Sequence, residues 1–228
     1  MLLEITLPQY ELTLPISNMV VKYRPFTVKE EKILLLAQEE NGLDGIIVAI
    51  NQIISNCTFG KYNIDNLTKV DAETLFIQLR NKSKGEIVDV RGICVECDAK
   101  TNVQLDYSKI EIKNKDLKTN RLEVFDDLWI DFKYPSIKQS FDIGKHDAIY
   151  GIALLLDKVI QGENIKNCDD YTIEEKIEFI ESLPNMQLVA FNKFFDNYPS
   201  VELSSNFICK DCGHQNTINV SGIESFFL

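Results

Sequence analysis

Long apolar runs, repeats and a leader are all missing from this sequence of 228 residues. The longest internal apolar run, around residues 46–50, is far shorter than the roughly 20 residues of a membrane-spanning helix. The first residues carry no basic segment followed by an apolar one, as a secretory signal would. Glycine and proline are modest, with 10 and 6 residues, and no low-complexity linker is visible. We therefore expect a soluble globular protein made in a reducing cytoplasm.

The sequence is also short of positive charge. It has 24 Lys+Arg against 35 Asp+Glu, which gives a formal net charge of −11. Nucleic-acid backbones and anionic membranes attract clustered lysines and arginines. The composition therefore argues against nucleic acid and against a membrane surface as partners, while leaving protein partners open.

Motifs of enzyme active sites are missing as well. There is no dinucleotide-binding, phosphate-loop, serine-hydrolase or His-Glu-x-x-His motif. The two histidines are His146, interpreted as a surface or capping residue, and His214, interpreted as an exposed residue or a hydrogen-bond donor to a nearby thiolate. Adjacent acidic pairs such as Asp169-Asp170 are typical of solvated turns. We expect no catalytic residues and no enzymatic activity.

Cysteine is the residue type that points to a metal site in this sequence. Four of the six cysteines form two Cys-x-x-Cys motifs, Cys94 with Cys97 and Cys209 with Cys212. Each motif can direct two thiolates to one metal, and two such motifs supply the four soft ligands of a closed tetrahedral zinc site. The sequence predicts one structural Zn²⁺ per chain, bound by these four residues.

Two alternatives stand beside the zinc site. Each motif could be a redox pair, although neither follows a strand at the start of a helix as in thioredoxin-like proteins, or the thiols could be unrelated buried residues. Cys57 and Cys168 have no partner at ligand spacing and are interpreted as ordinary buried residues. Because the two motifs are far apart in sequence, a zinc ribbon here must be split, with its metal joining distant parts of the chain.

The periodicity of apolar residues predicts an α+β fold, with helical layers around a split zinc-ribbon-like β module that carries two Cys-x-x-Cys knuckles. We divide the chain into four segments and expect them to form one compact unit. They are an N-terminal hairpin with helices (1–85), the first knuckle and a hairpin (86–134), a helical insertion (135–200), and the second knuckle with a C-terminal tail (201–228).

Some local predictions are specific. Thr27 and Glu30 form a capping-box pattern before a helix over 28–40, with Ile33, Leu34, Leu36 and Ala37 on its buried stripe and Glu30, Glu31 and Lys32 outside. The end of that helix is expected at Asn41-Gly42. A later helix is expected to begin at Asp71 as its N-cap. Another is expected from Ile149 through Ile160 to Gly162, and Gly213 is expected to adopt a positive φ.

Several blocks carry a resemblance to a known family. These are the stretch from Val21 to Leu35 with its Arg-Pro-Phe and Lys-Glu-Glu-Lys, the block from Leu75 to Glu86, the paired Cys-x-x-Cys motifs and the Phe226-Phe227 ending. Together they resemble the T4-type bacteriophage baseplate proteins, a family that includes baseplate hub assembly proteins. The resemblance covers most of the chain and is weakest between about residues 106 and 143.

The resemblance implies a non-enzymatic structural or assembly role in the hub region of a contractile phage tail baseplate. It implies other baseplate and tail proteins as partners, and a location in the virion tail baseplate, with the host cytoplasm as the site of assembly. The alternatives are a zinc-ribbon nucleic-acid-binding or regulatory protein and a dithiol oxidoreductase. The sequence indicates no oligomeric state.

The sequence allows two interpretations for each of two surface features. Arg80, Lys82 and Lys84 are either favourable charge at a helix end or a docking patch for an acidic neighbour. The tail residues Ile223, Phe226, Phe227 and Leu228 either fold back on the chain's own core or insert into a neighbour's groove.

Overall fold

The structure is a computed structural model, and it describes residues 5–39, 43–115, 119–125 and 127–227. The chain divides into two compact units, each continuous in space. Unit 1 comprises Met1–Lys113 and Ser200–Leu228, and unit 2 comprises Asn114–Pro199. The earlier division into four segments stays a prediction. Within the described ranges, no helix has both the length and the apolar character needed to cross a membrane.

The N-terminal part of unit 1 is a β-hairpin followed by three helices. They are β1 (Tyr10–Thr13), β2 (Val20–Tyr23), α1 (Val28–Glu39), α2 (Leu43–Cys57) and α3 (Lys69–Lys84), with a 3₁₀ turn at Ile64–Asn66. The predicted hairpin is therefore confirmed. Gly85 ends α3 with a φ of 93°, and its N–H donates to the carbonyl of Asn81, a conformation typical of glycine at the end of a helix.

The remainder of unit 1 consists of two small sheets. The first pairs β3 (Ile87–Ile93) with β4 (Lys100–Asp106), and the second has the order β11-β10-β5, formed by β5 (Glu111–Lys113), β10 (Ser200–Ile208) and β11 (Gln215–Ser221). All pairings are antiparallel. Short 3₁₀ helices lie at Tyr107–Lys109 and Ile223–Phe227.

One apolar core joins both sheets of unit 1 to α3. Its buried residues are Val70, Ile77, Val88, Val103, Leu105, Tyr107, Val201, Leu203, Phe207, Val220 and Phe226. The two sheets approach each other closely at Gly92, because a Cβ built there would lie 2.7 Å from the ring of Phe207. Real Cβ atoms do not approach other atoms so closely, so the contact requires glycine.

The described residues of unit 2 form a four-stranded antiparallel sheet and four helices. The strands, in sheet order β6-β7-β8-β9, are β6 (Arg121–Phe125), β7 (Leu128–Phe132), β8 (Leu156–Gln161) and β9 (Asn164–Asn167). The helices are α4 (Ile137–Ile143), α5 (Ala148–Leu154), α6 (Ile173–Glu181) and α7 (Met186–Phe195), and a 3₁₀ turn lies at Cys168–Asp170. A capping box of Thr172 with Glu175 opens α6. The overall mixture of helices and sheets confirms the α+β class.

The helix predicted from Ile149 to Gly162 is wrong in its second half. The chain leaves α5 after Leu154 and becomes β8, which pairs with β7 and β9. Periodicity alone does not separate a short apolar helix from a buried strand. The β-branched residues Val159 and Ile160 suit a strand, and Gly162, with a φ of 56°, supplies the tight turn into β9.

Two predictions about α1 are also wrong. Leu36 is 59% exposed rather than part of the buried stripe, and Glu30 is 3% exposed rather than on the outer face. The carboxylate of Glu30 accepts hydrogen bonds from Arg24 at 3.0 Å and from the backbone N–H of Thr27 at 2.8 Å. A buried charge persists only with such partners. The predicted helix end at Asn41 and Gly42 lies outside the described residues.

The start of α3 differs by three residues from its prediction. Thr68, not Asp71, is the N-cap, and its hydroxyl accepts from the N–H of Asp71 at 3.2 Å. The buried Asp71 carboxylate instead accepts from the N–H groups of Ile16 and Ser17, at 2.9 and 3.1 Å. A residue that suits an N-cap also suits the first helical turn, where the helix dipole favours negative charge.

The ion pair of the half-buried Arg24 with the buried Glu30 predicts that stability falls in acid. Burial opposes ionisation of Glu30, but the hydrogen bonds from Arg24 and Thr27 lower its pKa to about 2. An unfolded glutamate has a pKa of about 4.3. The contribution to stability is therefore complete above about pH 4.3 and is lost as the pH falls towards 2.

We expect Glu30→Gln to remove about 2–3 kcal/mol of unfolding free energy at neutral pH and to flatten its dependence on pH below about 4.5. Urea unfolding at several pH values measures both effects. Glu11→Gln is the control, because Glu11 forms an exposed ion pair with Lys22 and exposed pairs contribute little. Equal pH dependence in the Glu30→Gln variant and the wild type would contradict this assignment.

Candidate metal centre

The first Cys-x-x-Cys motif forms the turn between β3 and β4. The N–H of Cys94 donates to the carbonyl of Ala99 at 3.0 Å, and the N–H of Asp98 donates back to the carbonyl of Cys94 at 3.0 Å. Asp98 has a φ of 58°, a conformation that aspartate tolerates better than most side chains. The turn is therefore closed by its own backbone, which presents both thiols on one side.

The second motif repeats this turn between β10 and β11. The N–H of Cys209 donates to the carbonyl of His214 at 2.9 Å, and the N–H of Gly213 donates to the carbonyl of Cys209 at 3.1 Å. Gly213 has a φ of 74°, which confirms its prediction. It occupies the position that Asp98 has in the first turn, so the two turns share one backbone design.

The two turns bring their four thiols together. One Sγ atom from each of Cys94, Cys97, Cys209 and Cys212 lies within 4.8 Å of the others, a grouping that could hold a metal ion. Three of the separations are 3.4 Å (Cys97 to Cys212), 3.6 Å (Cys94 to Cys212) and 3.6 Å (Cys97 to Cys209). A tetrahedron with metal–sulfur bonds of about 2.3 Å has sulfur–sulfur edges of about 3.8 Å. The cluster therefore has the dimensions of a four-thiolate metal site.

Two of the four cluster cysteines are buried and two are exposed. The first cysteine of each motif, Cys94 or Cys209, is buried, whereas the second, Cys97 or Cys212, is exposed. All four are free thiols, and both motifs lie in hairpin turns rather than at the start of a helix. This placement differs from that of a thioredoxin-like redox pair.

Backbone amides point at the thiols and change their ionisation. Burial opposes ionisation of Cys94, but the N–H groups of Glu96 and Cys97 lower its pKa to about 6. The N–H groups of Cys212 and Asp211 likewise lower the pKa of Cys209. Hydrogen bonds to the charged form favour it, so the buried thiol of each motif is prepared to act as a thiolate.

In the two exposed thiols, those of Cys97 and Cys212, the pKa is raised. An N–H from Ala99 acts to lower the pKa of Cys97, but the neighbouring thiols and burial raise it to about 12. Like charges this close oppose each other's ionisation. A cation at the centre of the cluster would remove that opposition, because a coordinated thiol is deprotonated.

Asn216 links the two turns and is the supporting residue that the sequence interpretation missed. Its Oδ1 accepts from the N–H of Val95 at 3.0 Å, while its Nδ2 donates to the carbonyl of His214 at 3.0 Å and lies 3.5 Å from Cys94 Sγ. Asn216 is 5% exposed. The sequence does contain a signal for this role: Asn216 is a polar residue at an inward-facing strand position, shortly after the second motif.

The other predicted candidates lie outside this cluster. His214 is exposed and contributes its backbone groups to the turn. His146 is exposed, stacks on the ring of Tyr150 at 4.1 Å and lies 3.8 Å from Asp142. Cys57 and Cys168 are buried, as expected of ordinary interior residues.

The basic cluster at the end of α3 is bound within the chain. Arg80 is 6% exposed, lies 4.7 Å from the centroid of the Tyr107 ring and donates to the carbonyl of Gly85. Lys84 pairs with Glu31 at 2.8 Å. These contacts favour the interpretation as charge at a helix end over that of a docking patch.

Comparison with known proteins places the chain in a family. The family model described as T4 bacteriophage base plate protein matches residues 7–228. The chain is also similar to the baseplate hub assembly protein gp26 of Enterobacteria phage T4, with 24% identity over 221 residues, which cover 96% of this chain and 98% of that protein. No solved structure matches. The resemblance read from the sequence is thus confirmed, and the chain belongs to the T4 bacteriophage base plate protein family.

Proposed function

We propose that this protein is a non-enzymatic structural or assembly protein of a contractile phage tail baseplate, acting in the hub region through contacts with other tail proteins. The observation that carries the proposal is the family match over residues 7–228, together with a relative of nearly equal length named as a hub assembly protein. We place the protein in the virion tail baseplate, after assembly in the host cytoplasm.

Nucleic acid and membranes are not among the proposed partners. The formal net charge is −11, and the exposed residues around the two turns mix Glu96, Asp98 and Asp211 with Lys100 and Lys210. A nucleic-acid interface needs a concentrated basic surface. The mixed charge around the turns therefore supports protein partners.

We also propose that the four-cysteine cluster binds one structural zinc ion. Four thiolates fill the coordination sphere of Zn²⁺, so such a site has no open position for a substrate or water. In this proposal the two hairpins form the halves of a split zinc ribbon, and the metal holds the β3–β4 turn to the β10–β11 turn. Its role is to fix the surfaces that other proteins contact.

The functional proposal is tested in infected cells. Phage in which this gene is inactivated should yield no complete baseplates, and wild-type protein supplied from a plasmid should restore them. The protein, carrying an affinity tag, should co-purify with other tail proteins from infected cells. Normal infectious particles from the inactivated phage would overturn the proposal.

Asn216 provides a second test of the zinc proposal. Removal of a residue that hydrogen-bonds a metal ligand typically lowers metal affinity by 10- to 100-fold. We expect Asn216→Ala to show a loss of about this size, measured by competition with a zinc chelator of known affinity. Asn206→Ala is the matched control, because within the described residues the side chain of Asn206 accepts a hydrogen bond only from the exposed Thr217. Equal affinities for the two variants would exclude Asn216 from the metal site.

A further inference from the structure

Among the residues that the structure describes, strand β3 is paired with another strand along one edge only. It belongs to a two-stranded sheet with β4, and its register is continuous from Ile87 to Ile93. The residue pairs just beyond the two ends of this ladder are hydrogen-bonded. The N–H of Cys94 donates to the carbonyl of Ala99, and the N–H of Tyr107 donates to the carbonyl of Glu86. Hydrogen-bonded pairs alternate along an antiparallel ladder. The even-numbered residues of β3 therefore bond to β4, and the odd-numbered ones direct their N–H and C=O groups away from it.

The same odd-numbered residues form the exposed face of the strand. In order, they are Ile87, Asp89, Arg91 and Ile93, and all four are exposed. Ile87 is 55% and Ile93 is 59% exposed. Exposed aliphatic residues on an unpaired edge are a liability that soluble proteins usually avoid. Their presence here indicates an edge that is paired in the working form of the protein.

An open groove of about 590 Å³ lies next to β3 in unit 1. Its lining includes Val90, Arg91, Gly92 and Ile93 of β3, and Ile218, Asn219 and Val220 of β11 also line it. Within the described residues, Arg91 takes part in no ion pair, and Asp89 contacts only the side-chain amide of Gln104, at 3.1 Å. Both charged groups are therefore available to a partner that pairs with the edge.

The order of side chains on this face is self-complementary. If β3 is placed antiparallel to a second β3 with Val90 opposite Val90, then Ile87 faces Ile93 and Asp89 faces Arg91, and each pair occurs twice. The four outward-facing residues of one strand are then opposite the four outward-facing residues of the other, as the hydrogen bonds require. Opposite charges and aliphatic residues directly across an antiparallel pair stabilise it.

We propose that β3 is the interface of a homodimer, in which two copies of the chain pair along this edge around a two-fold axis at Val90. The result is a continuous four-stranded sheet of order β4-β3-β3-β4, with identical contacts contributed by each copy, as in isologous dimers. One short strand pair is smaller than the roughly 1,200 Å² of a standard stable interface, so the dimer is weak and depends on concentration.

Charge reversal tests the pairing directly. In Asp89→Arg, arginine faces arginine at both central positions, and in Arg91→Asp, aspartate faces aspartate. Each variant alone should dissociate, with its Kd raised about tenfold or more, because like charges directly opposite destabilise strand pairs. An equimolar mixture of the two should form a heterodimer, since every central pair is then opposite in sign. The double variant D89R/R91D should again form a homodimer.

Sedimentation equilibrium of the full chain, between about 1 µM and 1 mM, measures these constants. Asn164→Arg is the control for added charge, because Asn164 is exposed on β9 in unit 2, and it should leave the Kd unchanged. Circular dichroism confirms that each variant is folded. A wild-type chain that stays monomeric over this range overturns the proposal, and so does a dimer that both single variants leave intact.

Discussion

Cys209→Ser is expected to lower the melting temperature by about 10 °C or more. Loss of a structural metal belongs to the small group of changes that cost more than about 4 kcal/mol, and each kcal/mol corresponds to about 2–4 °C for a chain of 150–250 residues. The metal would join turns 112 positions apart between Cys97 and Cys209, so its loss frees β10 and β11. Differential scanning calorimetry gives the melting temperature, and limited proteolysis should show new cleavage within residues 200–221.

The helices should largely persist in this variant, because the four cluster cysteines lie in hairpin turns between strands and unit 1 keeps an apolar core around α3. Helical circular dichroism should therefore change little at 25 °C. A chelator separates metal loss from simple side-chain loss, since it should lower the melting temperature of the wild type but not of Cys209→Ser. Cys168→Ala, in unit 2, is the control and should keep its chelator response. An unchanged melting curve for Cys209→Ser would contradict the structural role.

Removal of the C-terminal segment is expected to lower the unfolding free energy more than any other change except loss of the metal site. Ile223 and Phe226 are 1% and 0% exposed, and the ring of Phe226 meets that of Tyr107 edge-on, with centroids 5.4 Å apart. These residues therefore fold back on the core of their own unit. Leu228 and the side chain of Phe227 lie outside the described part of the chain.

Phe226→Ala should lower the unfolding free energy by about 3–5 kcal/mol, the usual cost of removing a buried phenylalanine. Truncation after Gly222 should cost at least as much. Phe59→Ala is the matched control, because Phe59 is 48% exposed, and it should change stability by less than about 1 kcal/mol. Chemical denaturation measures all three. A truncated chain with wild-type stability would instead favour a docking role for the tail.

The sequence was sufficient to predict the turns that carry the cysteines. Each Cys-x-x-Cys motif is local, its backbone geometry is closed within about six residues, and the alternation of Val88, Val103 and Leu105 marks the flanking strands. The association of the two turns followed from the chemistry of four soft ligands rather than from any local pattern. The structure brings the four thiols together as that chemistry requires.

Features that depend on tertiary contacts were not predictable in the same way. β8 is a strand because β7 and β9 supply its hydrogen bonds, whereas its apolar spacing also fits a helix. Glu30 is buried because Arg24 approaches from a preceding loop, and the position of Glu30 on the helix gave no sign of that. The carboxylate of Asp71 is occupied by the N–H groups of Ile16 and Ser17, 55 and 54 positions away.

The most direct test of the account is the metal content of the protein. Chain purified under reducing conditions, without added metal, should contain one zinc per chain by elemental analysis, and its four cluster thiols should resist alkylation until a chelator is added. Replacement of Zn²⁺ by Co²⁺ should give the visible spectrum of a tetrahedral thiolate site. Protein that contains no metal, with a disulfide within each Cys-x-x-Cys motif under the same conditions, would contradict the account.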